Sequence, residues 1–435
     1  MHSSDIIVIG SGPGGMEVAA AALRKGLAVT LVERDLLGGT CLNRGCIPTK
    51  ALCRSAEIAR SVAEASAFGV DVPSFSFDYG KAVDRKDSVV AGLRDNIAAM
   101  LSGAGIVKGE ARFVAADKIE VDGNIYTAPK IVIATGSASA SLPVPGADIA
   151  VDSDAILSMR KLPASMVIIG GGVIGMEFAC ILSSFGVSVT VLEYCREILP
   201  NFDKDVAKRL RTSLVRGGMS VITGAEVTGI EPGKRVRYTL KGKECVVEAD
   251  EVLMAVGRRP VIPEGAVDVG VKVERGAIVV DDSFATTVPG IYAIGDVNAR
   301  MMLAHVASAQ AADLMGGSMN LSVVPAAAFT SPECAMVGLT EEKCKESGLA
   351  YKSKKSLYRA NGKAQAMGDT DGIVKVIVDS RSGLILGCHV CGPHAADMVQ
   401  EVALAMSSGL TAQAIADTIH AHPTLSEILQ SAVAQ

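Results

Sequence analysis

A strand, a glycine-rich turn, a helix and a second strand closed by an acid occur twice in this chain. The first copy runs from Ile6-Ile7-Val8-Ile9 through Gly10-Ser11-Gly12-Pro13-Gly14-Gly15 and an alanine-rich stretch to Val29-Thr30-Leu31-Val32-Glu33. The second runs from Val167-Ile168-Ile169 through Gly170-Gly171-Gly172-Val173-Ile174-Gly175 to Val189-Thr190-Val191-Leu192-Glu193, and in both the acid follows the first glycine by 23 residues. In such a unit the first glycine permits a tight turn, and the second lets a pyrophosphate approach the backbone. The third allows the helix to pack on the strand, and the acid accepts from a ribose hydroxyl. Gly10, Gly12, Gly15 and Glu33, with Gly170, Gly172, Gly175 and Glu193, are therefore candidate cofactor-binding residues. One copy alone would fit plain packing equally well. A repeat of the whole unit predicts two dinucleotide sites in an α/β chain with parallel sheets.

The rest of the composition suits that reading. The 435 residues are 49% hydrophobic and 20% charged, with 45 Gly, enough for several packed domains. A net charge of -5 without any Lys/Arg run disfavours a nucleic-acid partner, and nothing marks a membrane surface. The N-terminus enters the first apolar strand without a basic leader, so a cytoplasmic location is expected. Only Met166 to Leu192 is long enough to suggest a membrane span. Its five glycines, its serines and Glu177 make strand, turn, helix, strand the better reading.

Two cysteines lie five apart in Gly39-Thr40-Cys41-Leu42-Asn43-Arg44-Gly45-Cys46-Ile47-Pro48-Thr49-Lys50. On a regular helix they would be rotated by about 140° and separated by roughly 7.5 Å of rise, too far to bridge. A bridge needs distorted backbone, which Gly45 tolerates, and Pro48 suits the first turn of a following helix. The pair reads as a reducible disulfide at a helix N-terminus, where the dipole favours a thiolate on reduction; two buried free thiols fit the spacing as well.

Between and after the repeats come a helical stretch from about 87 to 103, a strand at Lys118-Ile119-Glu120-Val121, and Lys130-Ile131-Val132-Ile133-Ala134-Thr135-Gly136. Then follow Glu251-Val252-Leu253-Met254-Ala255-Val256-Gly257-Arg258, bounded by Pro260 and Pro263, and Ile291-Tyr292-Ala293-Ile294-Gly295-Asp296 before a helix near 303 to 315. From about Val323 shorter strands predict a separate α+β domain with antiparallel pairing. In the tail, His420-Ala421-His422-Pro423-Thr424-Leu425-Ser426-Glu427, Pro423 predicts a helix close behind it. Glu427 stands where a capping box would put it, and His422 with Glu427 could equally be a base and its orienting carboxylate.

Taken together these segments resemble the flavin-dependent pyridine nucleotide-disulfide oxidoreductases, within them the dihydrolipoamide dehydrogenases, over nearly the whole chain. The resemblance implies an FAD-binding domain at 1–137, an NAD-binding domain at 138–258, a central segment at 259–322 completing the FAD domain, and a dimerisation domain at 323–435. It places FAD on the first fingerprint, with Glu33, Thr40, Lys50, Ala111, Thr135, Gly136, Asp296 and Ala304 around it. The nicotinamide nucleotide falls on the second, with Glu193, Val227, Ala255, Gly257 and Arg258. It implies that Lys50 pairs with Glu177. It also implies a homodimer in which His422, held by Glu427, reaches the partner's Cys41–Cys46 disulfide, and partners that are the lipoyl domains of 2-oxo acid dehydrogenase or glycine cleavage complexes.

The reaction so implied is oxidation of dihydrolipoamide through the disulfide and FAD, with NAD+ reduced to NADH. Glu193 favours NAD, since a carboxylate there repels a 2′-phosphate. The rival is a reductase of the same architecture using NAD(P)H on another disulfide or on mercuric ion. No metal ligands are expected. Gln310 stands where the family commonly has an acid. Cys388-His389-Val390-Cys391 looks like a CxxC, but it continues a strand, so its sulfurs should point to opposite faces.

Overall fold

The computed structural model describes residues 1–434. The first repeat builds a five-stranded parallel sheet in the order 291–293, 131–133, 6–9, 29–33, 105–108. Its central strand, Ile6–Ile9, is apolar at every position and fully buried, as a parallel strand covered on both faces must be. Ile6 and Val8 point toward the crossover helix Pro13–Arg24, which packs beside Ala304–Leu314. Ile7 and Ile9 point the other way, onto Phe113, Ile119 and Val121 of a small sheet formed by strands 2–3, 124–127, 118–121 and 112–115.

The second repeat does the same thing again. Strands 220–223, 188–193, 165–169 and 251–254 form a parallel sheet, with Met166 and Ile168 facing the helix Val173–Ser184. Val167 and Ile169 face an unexpected antiparallel meander of 225–231, 235–240 and 243–248, although Arg235–Leu240 alternates exposed and buried positions. A two-stranded ladder, Ser137–Ser139 against Arg258–Pro260, carries the chain into this unit and out of it. No helix among the described residues is long and apolar enough to cross a membrane.

After residue 324 the pairing becomes antiparallel, in the order 325–328, 334–338, 385–391, 373–379, 351–357, with helices 395–407, 412–417 and 427–433 packed on it. Cys388 belongs to the core under those helices, whereas Cys391 lies with Cys334 and Cys180 in the core shared with the second parallel sheet, so the two sulfurs do occupy opposite faces.

Two local expectations need correcting. The long helix spans Tyr79–Met100 instead of starting near 87, because Asp78 caps it by accepting from the Lys81 N–H at 3.2 Å. The last helix begins at Glu427 and not directly behind Pro423, since Thr424 and its neighbours form a turn first.

Candidate active site

The redox pair sits at a break between two helices. Gly39–Arg44 ends at Gly45, whose φ of -144° and ψ of -115° belong to neither helix nor strand, and Cys46–Ala63 starts at once. A Cβ on Gly45 would stand 3.0 Å from the Thr40 carbonyl oxygen, a tight contact that the Thr40 backbone would have to relieve by moving a few tenths of an ångström. The break brings the side chains of Cys41 and Cys46 within hydrogen-bond reach of each other. Their acidities diverge. Cys41 donates to Cys46, which, with burial, pushes the Cys41 thiol well up. The same bond, helped by the Lys50 ammonium, brings Cys46 down to about 7.

Behind the pair, Lys50 Nζ donates to both oxygens of Glu177 at 2.9 Å. Glu177 is buried in an otherwise apolar helix, and its Oε1 also accepts from the Phe329 N–H at 2.9 Å. Burial pulls the Lys50 ammonium down, and the Glu177 carboxylate more than offsets that, so the charge is held. The Phe329 ring lies 4.7 Å from Lys50 Nζ.

This group opens into a cleft of about 1750 Å3 that runs past both glycine turns. A single drug-sized ligand occupies roughly 300–1,000 Å3, so the cleft has room for two dinucleotides. The two turns match atom for atom. A Cβ on Gly10 would meet the Ala134 carbonyl oxygen at 2.4 Å, and on Gly170 the Ala255 oxygen at 2.3 Å. A Cβ on Gly15 would meet the Gly10 oxygen at 1.9 Å, and on Gly175 the Gly170 oxygen at 2.0 Å. Gly12 and Gly172, by contrast, have nothing within 4 Å of that position, and each heads a helix of 12 residues whose first N–H groups have no side-chain cap. Open space before uncapped amides is what a pyrophosphate requires.

The two acids are anchored alike. Glu33 accepts from Ser11 N–H at 2.9 Å, Ser11 Oγ at 2.6 Å and Asp35 N–H at 2.9 Å; Glu193 accepts from Gly171 N–H at 2.5 Å and Cys195 N–H at 2.6 Å. Each carboxylate keeps lone pairs for a ribose. Thr40, Ala111, Thr135, Gly136, Val227, Ala255, Gly257, Arg258, Asp296 and Ala304 also line the cleft, whereas Gly15 and Gly175 do not, being spent on helix packing. Asp296 accepts from Ser137 Oγ at 2.5 Å, and Ser137 in turn receives Arg258 Nε at 2.7 Å. Gln310 holds this turn from behind, accepting from Gly295 N–H at 2.7 Å and Asn298 Nδ2 at 3.1 Å. The position singled out as a departure from the family's usual acid thus holds the backbone turn that carries Asp296.

His422 and Glu427 are not brought to the cysteines within one chain. His422 Nδ1 lies 2.9 Å from Glu427 Oε1, its ring is largely exposed, and neither residue lines the cleft. Glu427 does not close a capping box, because it is the first residue of its helix and the Thr424 hydroxyl donates to the Ala421 carbonyl. Its Oε2 accepts from Thr424 N–H at 2.8 Å, which steadies the carboxylate that holds His422. That N–H and His422 hold the carboxyl below its ordinary range.

Parallel sheets carrying two dinucleotide turns around a thiol pair define a flavin- and nicotinamide-dependent thiol–disulfide enzyme. Residues 4–311 match the family profile described as pyridine nucleotide-disulphide oxidoreductase, and residues 324–433 match its dimerisation domain. The chain is 39% identical to a dihydrolipoyl dehydrogenase of Geobacillus stearothermophilus, covering 99% of this chain and 95% of that one, and 40% identical to one of Chlamydia muridarum, covering 98% and 95%. A solved structure of the HOCl-induced flavoprotein disulfide reductase RclA from Escherichia coli superposes with a TM-score of 0.88 at 30% identity, over 99% of both chains. The chain belongs to the pyridine nucleotide-disulphide oxidoreductase family. It is an FAD-containing oxidoreductase that also binds NAD(H), and its C-terminal domain is built for a homodimer.

Proposed function

We propose that this chain is a dihydrolipoyl dehydrogenase, oxidising dihydrolipoyl groups carried on the lipoyl domains of 2-oxo acid dehydrogenase or glycine cleavage complexes and reducing NAD+. The observation that carries the reading is the divided chemistry of Cys41 and Cys46, a donor thiol and a thiolate beside the Lys50 ammonium, in a cleft with a dinucleotide cradle on either side. The relatives' names support the substrate. Glu193 supports NAD over NADP, since its carboxylate lines the cleft while Arg196 does not.

In the oxidised enzyme the pair is a disulfide. His422 of the partner subunit, oriented by Glu427, takes the proton of the first substrate thiol, and that sulfur attacks Cys41. The Cys41–Cys46 bond breaks, and Cys46 leaves as a thiolate that the helix N-terminus and Lys50 stabilise. The second substrate thiol attacks the substrate sulfur of the mixed disulfide. Cys41 leaves and takes a proton, and the substrate closes as a cyclic disulfide. Bound FAD supplies a two-electron acceptor for the resulting dithiol and a hydride donor for NAD+. Domain limits near 137, 258 and 322, and a cytoplasmic location, complete the proposal.

NADH formation by the purified holoenzyme from dihydrolipoamide and NAD+ tests the reading. Turnover with that pair, and little with NADP+, is expected. No turnover there, with NADPH oxidised by glutathione disulfide instead, would assign the protein to the reductase side of the family, where its RclA neighbour stands.

A further inference from the structure

The helix Tyr79–Met100 packs along Cys46–Ala63 and sends one guanidinium, that of Arg94, to the short helix that carries Cys41. Arg94 Nε and Nη2 donate to the side-chain oxygen of Asn43 at 3.0 and 2.8 Å, and Arg94 has no carboxylate partner among the described residues. Asn43 lies between the two cysteines, on the six-residue helix that carries Cys41. Its amide nitrogen faces the carbonyl oxygens of Leu37 at 3.0 Å and Gly39 at 2.9 Å, with that of Leu36 at 3.4 Å. Those carbonyls belong to a turn with left-handed Gly38 and Gly39, and a Cβ on Gly39 would meet the Gly12 Cα at 2.7 Å. One amide therefore ties the phosphate turn to the helix bearing the attacked sulfur. With two cationic donors on its oxygen, that amide is a stronger donor on its nitrogen side.

We propose that Arg94 and Asn43 are positioning residues for the thiol pair, fixing the helix Gly39–Arg44 so that Cys41 stays aimed at Cys46. A partly buried bidentate cation spent on a neutral amide has no evident stability role that a carboxylate would not serve better. Its neighbour Arg85, on the same helix, donates to the Ala51 carbonyl at 3.3 Å, beyond the cysteines, and leaves Asn43 to Arg94 alone. When the short helix shifts, the Cys41 donor leaves Cys46 and the thiolate loses its main support.

The proposal rests on the thiol pair being the redox centre, and its test separates the two. In the holoenzyme, Arg94→Met is expected to lower kcat for dihydrolipoamide oxidation about tenfold or more, as small misplacements at a reacting centre do. It should also move the pH midpoint for alkylation of reduced Cys46 upward, leave NADH oxidation by an artificial dye near wild type, and be partly rescued by Arg94→Lys. A wild-type alkylation profile in Arg94→Met overturns the inference. Should Arg94→Met shed its flavin, the neutral Asn43→Leu decides: an unchanged profile overturns the inference, and an upward midpoint supports it. A shifted alkylation midpoint in an enzyme inactive with dihydrolipoamide would keep the positioning role while removing the proposed substrate.

Discussion

Cys46 owes its reactivity to two neighbours that act at different ranges. Cys41 gives it a hydrogen bond, and Lys50 gives it a cation that Glu177 keeps charged. The reduced enzyme should accordingly be alkylated at Cys46 with a midpoint near pH 7, well below the ordinary thiol value of 9.0. Lys50→Met removes the cation and leaves the Glu177 carboxylate uncompensated, and both changes push the Cys46 midpoint up. A rise of about one unit would cut the thiolate fraction at pH 7 from about a half to about a tenth. Iodoacetamide rates against pH check both statements. At this scale the sequence was only partly legible. Cys41, Cys46 and Lys50 stand within ten positions and could be read together. The contact of Lys50 with Glu177 spans 127 residues and came only through resemblance; Gln310 was marked only as a departure from the family, without its bond to Gly295, and Arg94 on Asn43 came through nothing, because a polar side chain carries no mark of a distant partner.

Among elements, the glycine turns show how one residue type does opposite work at adjacent positions. Gly15 is required by helix packing, since an added Cβ lands 1.9 Å from the Gly10 oxygen; Gly12 faces open space in a backbone conformation, φ -65° and ψ 179°, that any residue adopts. Gly15→Ala should therefore lose both stability, by roughly 1–3 kcal/mol, and flavin, because the helix must move off the strand. Gly12→Ala should fold normally and be isolated with little flavin. In the second copy, Gly172→Ala should keep its flavin and raise KM for NAD+ about tenfold or more. Flavin absorbance, thermal unfolding and NAD+ titration of the three variants separate these outcomes. The repeat was legible because its spacing is fixed by a backbone turn. The meander at 225–248 carried only a partial mark: Arg235–Leu240 alternates exposed arginines with buried Val236 and Tyr238, but a register shift between Val227 and Gly229 breaks the period of the strand beside it.

The molecule as a whole is held in register by charges that the core buries between its parts. Lys375, on the C-terminal sheet and 2% exposed, donates to both oxygens of Asp203 at 2.9 Å, to Asp205 at 2.9 Å and to Glu341 at 2.6 Å. Asp203 is fully buried and caps the helix Lys204–Arg216 of the second nucleotide unit. The cluster joins the unit that carries the second glycine turn to the C-terminal domain that matches the family's dimerisation domain. Lys375→Met would leave the Asp203 charge in the core with only backbone donors, which costs about 3–5 kcal/mol at neutral pH. The pH dependence has a definite sign. Burial opposes the charged form of Asp205, but Lys355 and Lys375 overcome it and bring the carboxyl down to about 2, and Lys375 brings Glu341 to about 2 as well. Groups held below their unfolded values stabilise the fold above about pH 4 and lose that contribution as pH falls toward 2. Without Lys375 the downward shift of Asp205 and Glu341 is smaller, Lys355 and Lys345 remaining, so the variant has less of this stability to lose in acid than the wild type. The difference in unfolding temperature between the two should be largest at pH 7 and shrink steadily below about pH 4. A difference that stayed constant with pH would mean that Lys375 acts through packing and not through its charge.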